Sequence, residues 1–165
     1  MLYWIFDLDH TLYNLSKRER FSYSKLHKNT QLNAQLYLLP CTKILFTNGT
    51  VGHAETSLKK IGIYKHFEGR IFARDNLNSL KPNMTAYERL INAVGIRTSD
   101  KVVFFEDSVE NLITAKNYNW ITILICKGRC LLDEVDFCFS NINISLNYFL
   151  SEISKNRNKK KLLNN

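Results

Sequence analysis

The chain has 165 residues, of which 45% are hydrophobic and 23% charged, and it carries a formal net charge of +8. This is the balance of a single globular domain large enough for a real core. It excludes disordered coil and leaves no room for a second domain of usual size. The positive charge points towards anionic partners, although part of it comes from Lys155, Arg157, Lys159, Lys160 and Lys161, in a tail without apolar periodicity.

The apolar run Leu2-Tyr3-Trp4-Ile5-Phe6 predicts a first strand over Tyr3 to Leu8, which ends in Asp7-Leu8-Asp9-His10-Thr11. Two carboxylates interrupt that run after six residues, too early for a signal peptide or membrane anchor. No other apolar run is long enough to span a membrane, so the expected location is the cytoplasm. The next stretch has one helix signal, through Leu32, Leu36 and Leu39. It also holds Lys17, Arg18, Arg20, Lys25 and Lys28 interleaved with Phe21 and Tyr23, which reads equally as a basic rim for an anionic substrate or a solvated face.

Lys43 to Asn48 predicts a second strand, followed by a helix that places Val51, Ala54, Leu58 and Ile61 on one face, with Thr50 as N-cap and Gly62 as stop. A third strand is expected at Arg70 to Arg74. After Lys81-Pro82, a helix runs from Asn83 through Met84, Tyr87, Leu90, Ile91 and Val94 to Gly95. Lys101 to Glu106 predicts a fourth strand, apolar on successive residues as suits a strand covered on both faces. A helix should open at Ser108, capped by its hydroxyl, with Glu110 in the first turn. Strands at Ile121 to Lys127 and, more weakly, Val135 to Phe139 precede a last helix over Ser145 to Ser154. Cys41, Cys126, Cys130 and Cys138 show no metal-ligand spacing and read as buried thiols. His27, His53 and His66 are scattered and show no ligand spacing, and His10 reads as a loop residue.

Strands alternating with helices predict an α/β domain, a mostly parallel sheet with helices on both faces. Chemistry in such a sheet belongs at the carboxyl ends of the strands. Those ends carry Asp7 and Asp9, Thr47 and Asn48, and Glu106 and Asp107, with Lys81 opening the segment before a helix. Paired carboxylates just past a buried strand can hold a metal and still offer an oxygen for attack on phosphorus.

In this order the four clusters resemble the four motifs of the haloacid dehalogenase superfamily, over about residues 1 to 140. The closest wording is that of its pyrimidine 5'-nucleotidase-like branch, on Phe6-Asp7-Leu8-Asp9-His10-Thr11-Leu12-Tyr13, Phe46-Thr47-Asn48-Gly49, Lys81-Pro82 and Phe105-Glu106-Asp107-Ser108. The resemblance implies a three-layer Rossmannoid fold with Asp7 as nucleophile and Asp9 as general acid and base. Thr47, with the backbone amide of Asn48, would bind phosphoryl oxygens, and Lys81 would neutralise phosphoryl charge and hold Asp7. A Mg²⁺ site would use Asp7, the backbone carbonyl of Asp9, and Asp107, with Glu106 acting through water. Members that cleave carbon–halogen bonds generally lack the second aspartate, so Asp9 favours phosphoryl transfer. Ser108 and Asn111 resemble polar positions after the fourth motif, although capping explains them equally well.

One departure is expected. Relatives insert a helical cap between the first and second motifs, whereas only 33 residues run from Asn14 to Phe46 here, room for a flap and one helix. The expected organisation is therefore one domain over residues 1–154, with a short insert at 14–42 in place of the cap and an unstructured basic tail at 155–165. The resemblance favours a Mg²⁺-dependent phosphatase of a nucleotide or other small phosphate ester. The short insert and the charge keep a phosphorylated macromolecule, such as a nucleic-acid end or a phosphoprotein, as an alternative. A phosphate-binding module without turnover is a third reading. The sequence carries no sign of oligomeric state.

Overall fold

Six short β-rich runs pair side by side, all in parallel: β1 (Leu2–Phe6), β2 (Thr42–Thr47), β3 (Ile71–Ala73), β4 (Lys101–Glu106), β5 (Ile121–Ile125) and β6 (Phe137–Phe139), in the order β3-β2-β1-β4-β5-β6. The computed structural model describes residues 1–15, 23–128 and 132–163, with side chains through 156. Helices α1 (Thr30–Leu38), α2 (Val51–Ile61), α3 (Arg74–Leu77), α4 (Met84–Val94), α5 (Val109–Lys116) and α6 (Ile142–Leu163) connect and cover the strands. The order reverses at β1, whose Ile5 lies beside Ile44 of β2 on one side and Phe104 of β4 on the other. In a doubly wound sheet such a reversal opens a crevice beyond the strand ends.

Alternation along each strand sorts its side chains between two cores. Trp4, Phe6, Leu45, Val103 and Phe105 pack with Leu32, Leu36, Leu58, Ile61 and Leu146 of α1, α2 and α6. Tyr3, Ile5, Ile44, Phe46 and Phe104 pack with Tyr87, Leu90, Leu112 and Ala115 of α4 and α5. Aromatic contacts brace both layers. Phe6 stacks on Phe105 at 4.6 Å, and Phe46 meets Tyr87 edge-on at 5.1 Å. Each such pair contributes about 0.5–1.5 kcal/mol beyond its buried area.

The helix boundaries follow from capping chemistry. Thr50 Oγ1 accepts the His53 N–H at 3.2 Å at the start of α2, and Gly62 ends it at φ +81°, a conformation glycine tolerates best. Asn83 Oδ1 caps α4 through the Thr85 N–H at 2.9 Å. The insert contributes a single helical turn (Tyr23–Lys25) and α1, whose Gln35 donates to the Asn143 carbonyl at 2.8 Å and to Asn147 Oδ1 at 2.7 Å on α6. Its described part therefore folds into the outer layer, and among the described residues no helical cap stands over the strand ends.

Four expectations change. The Ser108 hydroxyl does not cap α5. It donates to Glu110 Oε2 at 2.7 Å, because the Ser108 N–H is already bound by Glu106 Oε1 at 3.2 Å and the loop turns with it. The last helix runs from Ile142 to Leu163, so the basic tail from Lys155 continues it rather than starting an unstructured stretch. No glycine or proline interrupts residues 142–163, and lysine and arginine are good helix formers. A four-residue helix, α3, follows β3 directly, with Asn76 Oδ1 accepting the Ala73 N–H at 2.8 Å. Cys126 and Cys138 are half-buried neighbours whose sulfurs are in hydrogen-bond contact at 3.4 Å without a disulfide, because parallel pairing of β5 and β6 brings them together.

Candidate active site

Asp7 sits one residue beyond β1, where its N–H donates to the Phe105 carbonyl of β4 at 2.9 Å and continues the ladder. Glu106 ends β4, and Lys81 enters from the loop before α4. The Lys81 ammonium, 1% exposed, donates to Asp7 Oδ1 at 2.7 Å, Glu106 Oε2 at 2.6 Å and the Phe46 carbonyl at 2.8 Å. All three of its donors are used, so it is fixed as a strut between two strand ends. Asn48 holds its backbone from both sides. Asn48 Nδ2 donates to the Lys81 carbonyl at 2.9 Å, and the Lys81 N–H donates to Asn48 Oδ1 at 2.8 Å.

Asp7, Glu106 and Asp107 bring carboxylate oxygens within 4.8 Å of one another. One lysine balances three acids, and the consequences appear in their protonation. Burial, then repulsion from Glu106, push the Asp7 carboxyl up to about 7 against the opposing pull of Lys81. Burial also raises Glu106, and burial with the charge of Asp7 raises Asp107. For Lys81, burial works against the charge, but Asp7 and Glu106 outweigh it and hold the ammonium protonated.

This excess of buried negative charge suits a cation. The donors are all carboxylate oxygens, with no sulfur or imidazole in the cluster, which fits hard Mg²⁺. Glu106 has its oxygens committed to Lys81 and to the N–H groups of Asp107 and Ser108. Asp7 and Asp107 are thus the two carboxylates placed to hold an ion, with Glu106 behind them. The Asp9 carboxylate is not in this cluster. Of Asp9, only the backbone carbonyl expected from the sequence would serve an ion.

The Asp9 side chain turns instead to Tyr13 and His53. The Tyr13 hydroxyl bonds Asp9 Oδ1, and His53 Nε2 lies 3.0 and 3.1 Å from its two oxygens. Burial alone would raise the Asp9 carboxyl. The bonds from His53 and Tyr13 outweigh it and hold the group below the usual carboxylate range. Thr47, at the end of β2, is buried and accepts the Gly49 N–H at 3.0 Å, which leaves its hydroxyl proton for another acceptor.

These groups line one cavity of about 790 Å³, with Asp7, Asp9, Thr47, Asn48, Lys81 and Asp107 all on its wall. Every candidate site residue read from the sequence is therefore gathered there. Sequence reasoning gave no site role to His53, Tyr13 or Arg74, while Tyr23, read there as part of the basic rim, lines the cavity. The signal available for His53 was its place in the first turn of the helix after the second strand. Ser108 and Asn111 also line the cavity, as does His10, an exposed loop residue at φ +65°. Of the proposed basic rim, Lys25 and Lys28 are exposed, while Lys17, Arg18, Arg20 and Phe21 lie outside the described residues.

A parallel sheet that reverses at β1, with acids at two strand ends strutted by a buried lysine, defines a Rossmann-like α/β scaffold. The model of haloacid dehalogenase-like hydrolases matches residues 39–119, a stretch that includes Thr47, Lys81, Glu106 and Asp107 and excludes Asp7 and Asp9. Solved structures agree on the fold. A candidate beta-phosphoglucomutase from Thermotoga maritima superposes with a TM-score of 0.71 at 15% identity, over 93% of this chain and 100% of that one. A HAD phosphatase from Thermococcus onnurineus gives 0.65 at 17% identity, over 91% and 98%. The L-2-haloacid dehalogenase from Xanthobacter autotrophicus gives 0.55 at 18% identity, over 65% of this chain and only 43% of the dehalogenase. Over residues 39–119 the chain is thus similar to haloacid dehalogenase-like hydrolases, and its fold is the one these solved structures share. No helix among the described residues is long and apolar enough to cross a membrane.

Proposed function

We propose that this protein is a Mg²⁺-dependent phosphomonoesterase that works through an aspartyl-phosphate on Asp7. The observation that carries this reading is the Lys81 strut, which holds Asp7 beside Glu106 and Asp107 while a second carboxylate, Asp9, stands separately on the same cavity wall. An Asp7 oxygen attacks phosphorus, and the ester oxygen departs with a proton from Asp9. Asp9 then takes a proton from water, whose oxygen attacks the phosphoryl group, releasing inorganic phosphate and restoring Asp7. Thr47 and the Asn48 amide bind phosphoryl oxygens, and Lys81 balances charge during transfer. Asp7 and Asp107 would hold Mg²⁺, which would supply the positive charge that lets a phosphate dianion approach these acids.

Asp9 favours this chemistry over dehalogenation, which needs no proton for its leaving halide. A nucleotide or similar small ester is the preferred substrate. The open cavity, with exposed Arg74 on its wall and no helical cap among the described residues, favours as second reading a phosphorylated macromolecule such as a nucleic-acid end. Phosphate release from an aryl phosphate, with Mg²⁺ and with chelator, tests the activity. Metal-dependent release is expected, and release that ignores the metal refutes it. Nucleoside monophosphates compared with 5'-phosphorylated oligonucleotides decide the substrate class, and cleavage of oligonucleotides alone would reverse the preference.

A further inference from the structure

Two hydrogen bonds join Asp9 to the insert through one imidazole. His53 Nε2 reaches both Asp9 oxygens at 3.0 and 3.1 Å, and His53 Nδ1 lies 2.9 Å from the hydroxyl of Tyr23, a residue of the insert. The ring is held on every side. Its backbone N–H is fixed by the Thr50 cap, and the Tyr13 hydroxyl, itself on Asp9, is 3.3 Å from both His53 Nε2 and the buried Ser57 Oγ. Gly49 leaves the ring its space, since a Cβ there would fall 2.8 Å from His53 Cδ2.

We infer that His53 is a positioning residue for the proton-transfer step, aiming the Asp9 carboxyl at the leaving oxygen and tying that aim to the insert through Tyr23. The inference rests on the phosphatase reading and adds to it how the acid is oriented. An imidazole bound at both nitrogens cannot swing, so the carboxylate it holds keeps one direction. A loosely held acid would protonate the leaving group less often, and the loss would depend on how much that group needs a proton. A phenolate departs with little help, whereas an alkoxide needs the proton in full.

The test compares turnover of p-nitrophenyl phosphate with that of an alkyl ester, glycerol phosphate, for the wild type, His53→Ala, His53→Gln and Tyr23→Phe, with Mg²⁺ and thermal melts alongside. His53→Ala should lose on the order of 10- to 100-fold more kcat on the alkyl ester than on the aryl ester. His53→Gln, whose amide can donate to Asp9 from a similar reach, should recover most of that difference. Tyr23→Phe keeps the ring and should show a smaller loss of the same selectivity, and it decides the matter alone if His53→Ala does not fold. Equal losses on the two esters, or none, would overturn the inference and leave the phosphatase reading standing. Absence of turnover by the wild type on both esters would overturn both.

Discussion

Lys81→Met removes one ammonium and leaves two buried carboxylates facing each other. The Asp7 and Glu106 side chains are 9% and 2% exposed, so neither recovers its lost partner from water. Removing one member of a buried ion pair costs about 3–5 kcal/mol, which for a chain of this size lowers the melting temperature by roughly 10 °C. The cost must depend on pH. Asp7 already titrates near 7 with Lys81 present, so its folded pKa is raised, and the stability it lends the metal-free fold is present at low pH and lost as pH rises through 7. Without the ammonium, both acids are pushed higher still. At pH 8 the variant must either ionise them unpaired or hold them protonated well above their unfolded range, at full cost, while at pH 5 protonation relieves most of it. Denaturant unfolding of wild type and variant at both pH values, in chelator, measures the difference. The expected destabilisation is large at pH 8 and small at pH 5. A variant as stable as the wild type at pH 8, or equally destabilised at both, would refute the electrostatic reasoning.

Asp7→Asn should abolish turnover yet melt at or above the wild type in chelator at pH 8, because it removes one of three crowded acids; a clear loss of stability in the melting curve would contradict this. Mg²⁺ should raise the melting temperature more at pH 8 than at pH 5, since protons and the ion compete for the raised carboxyls of Asp7 and Asp107. Equal shifts would place the ion elsewhere. Asn48→Ala should cost about 1–2 kcal/mol through the two bonds to the Lys81 backbone, and should lower kcat by loosening the strut. Unchanged kcat together with unchanged unfolding midpoint would remove Asn48 from the site.

The strands and their parallel pairing were readable because runs such as Val102-Val103-Phe104-Phe105 are apolar on both faces, and only a sheet covered by helices buries them so. Asp7, Thr47 and Asp107 were readable because strand ends in such a sheet converge, and Lys81, in the loop before α4, through the resemblance of its motif. What stayed hidden depends on contacts that the chain closes only in three dimensions. Asn48 grips Lys81 across 33 positions of sequence. His53 belongs by periodicity to a surface helix, and it becomes part of the site because α2 starts beside the end of β1. Glu106 was expected behind the metal, but its hold on Lys81 required the geometry. The last helix was read over Ser145 to Ser154, and its extension to Leu163 was missed because the apolar periodicity fades before the helix-forming residues do.

In the proposed mechanism Asp7 carries the phosphoryl group. Rapid mixing with an aryl phosphate and Mg²⁺, followed by acid quench and peptide mass spectrometry, tests it directly. One phosphoryl group is expected on the peptide that holds Asp7 and none in Asp7→Asn. Phosphoryl transfer to another residue, or metal-dependent turnover that survives in Asp7→Asn, would contradict it.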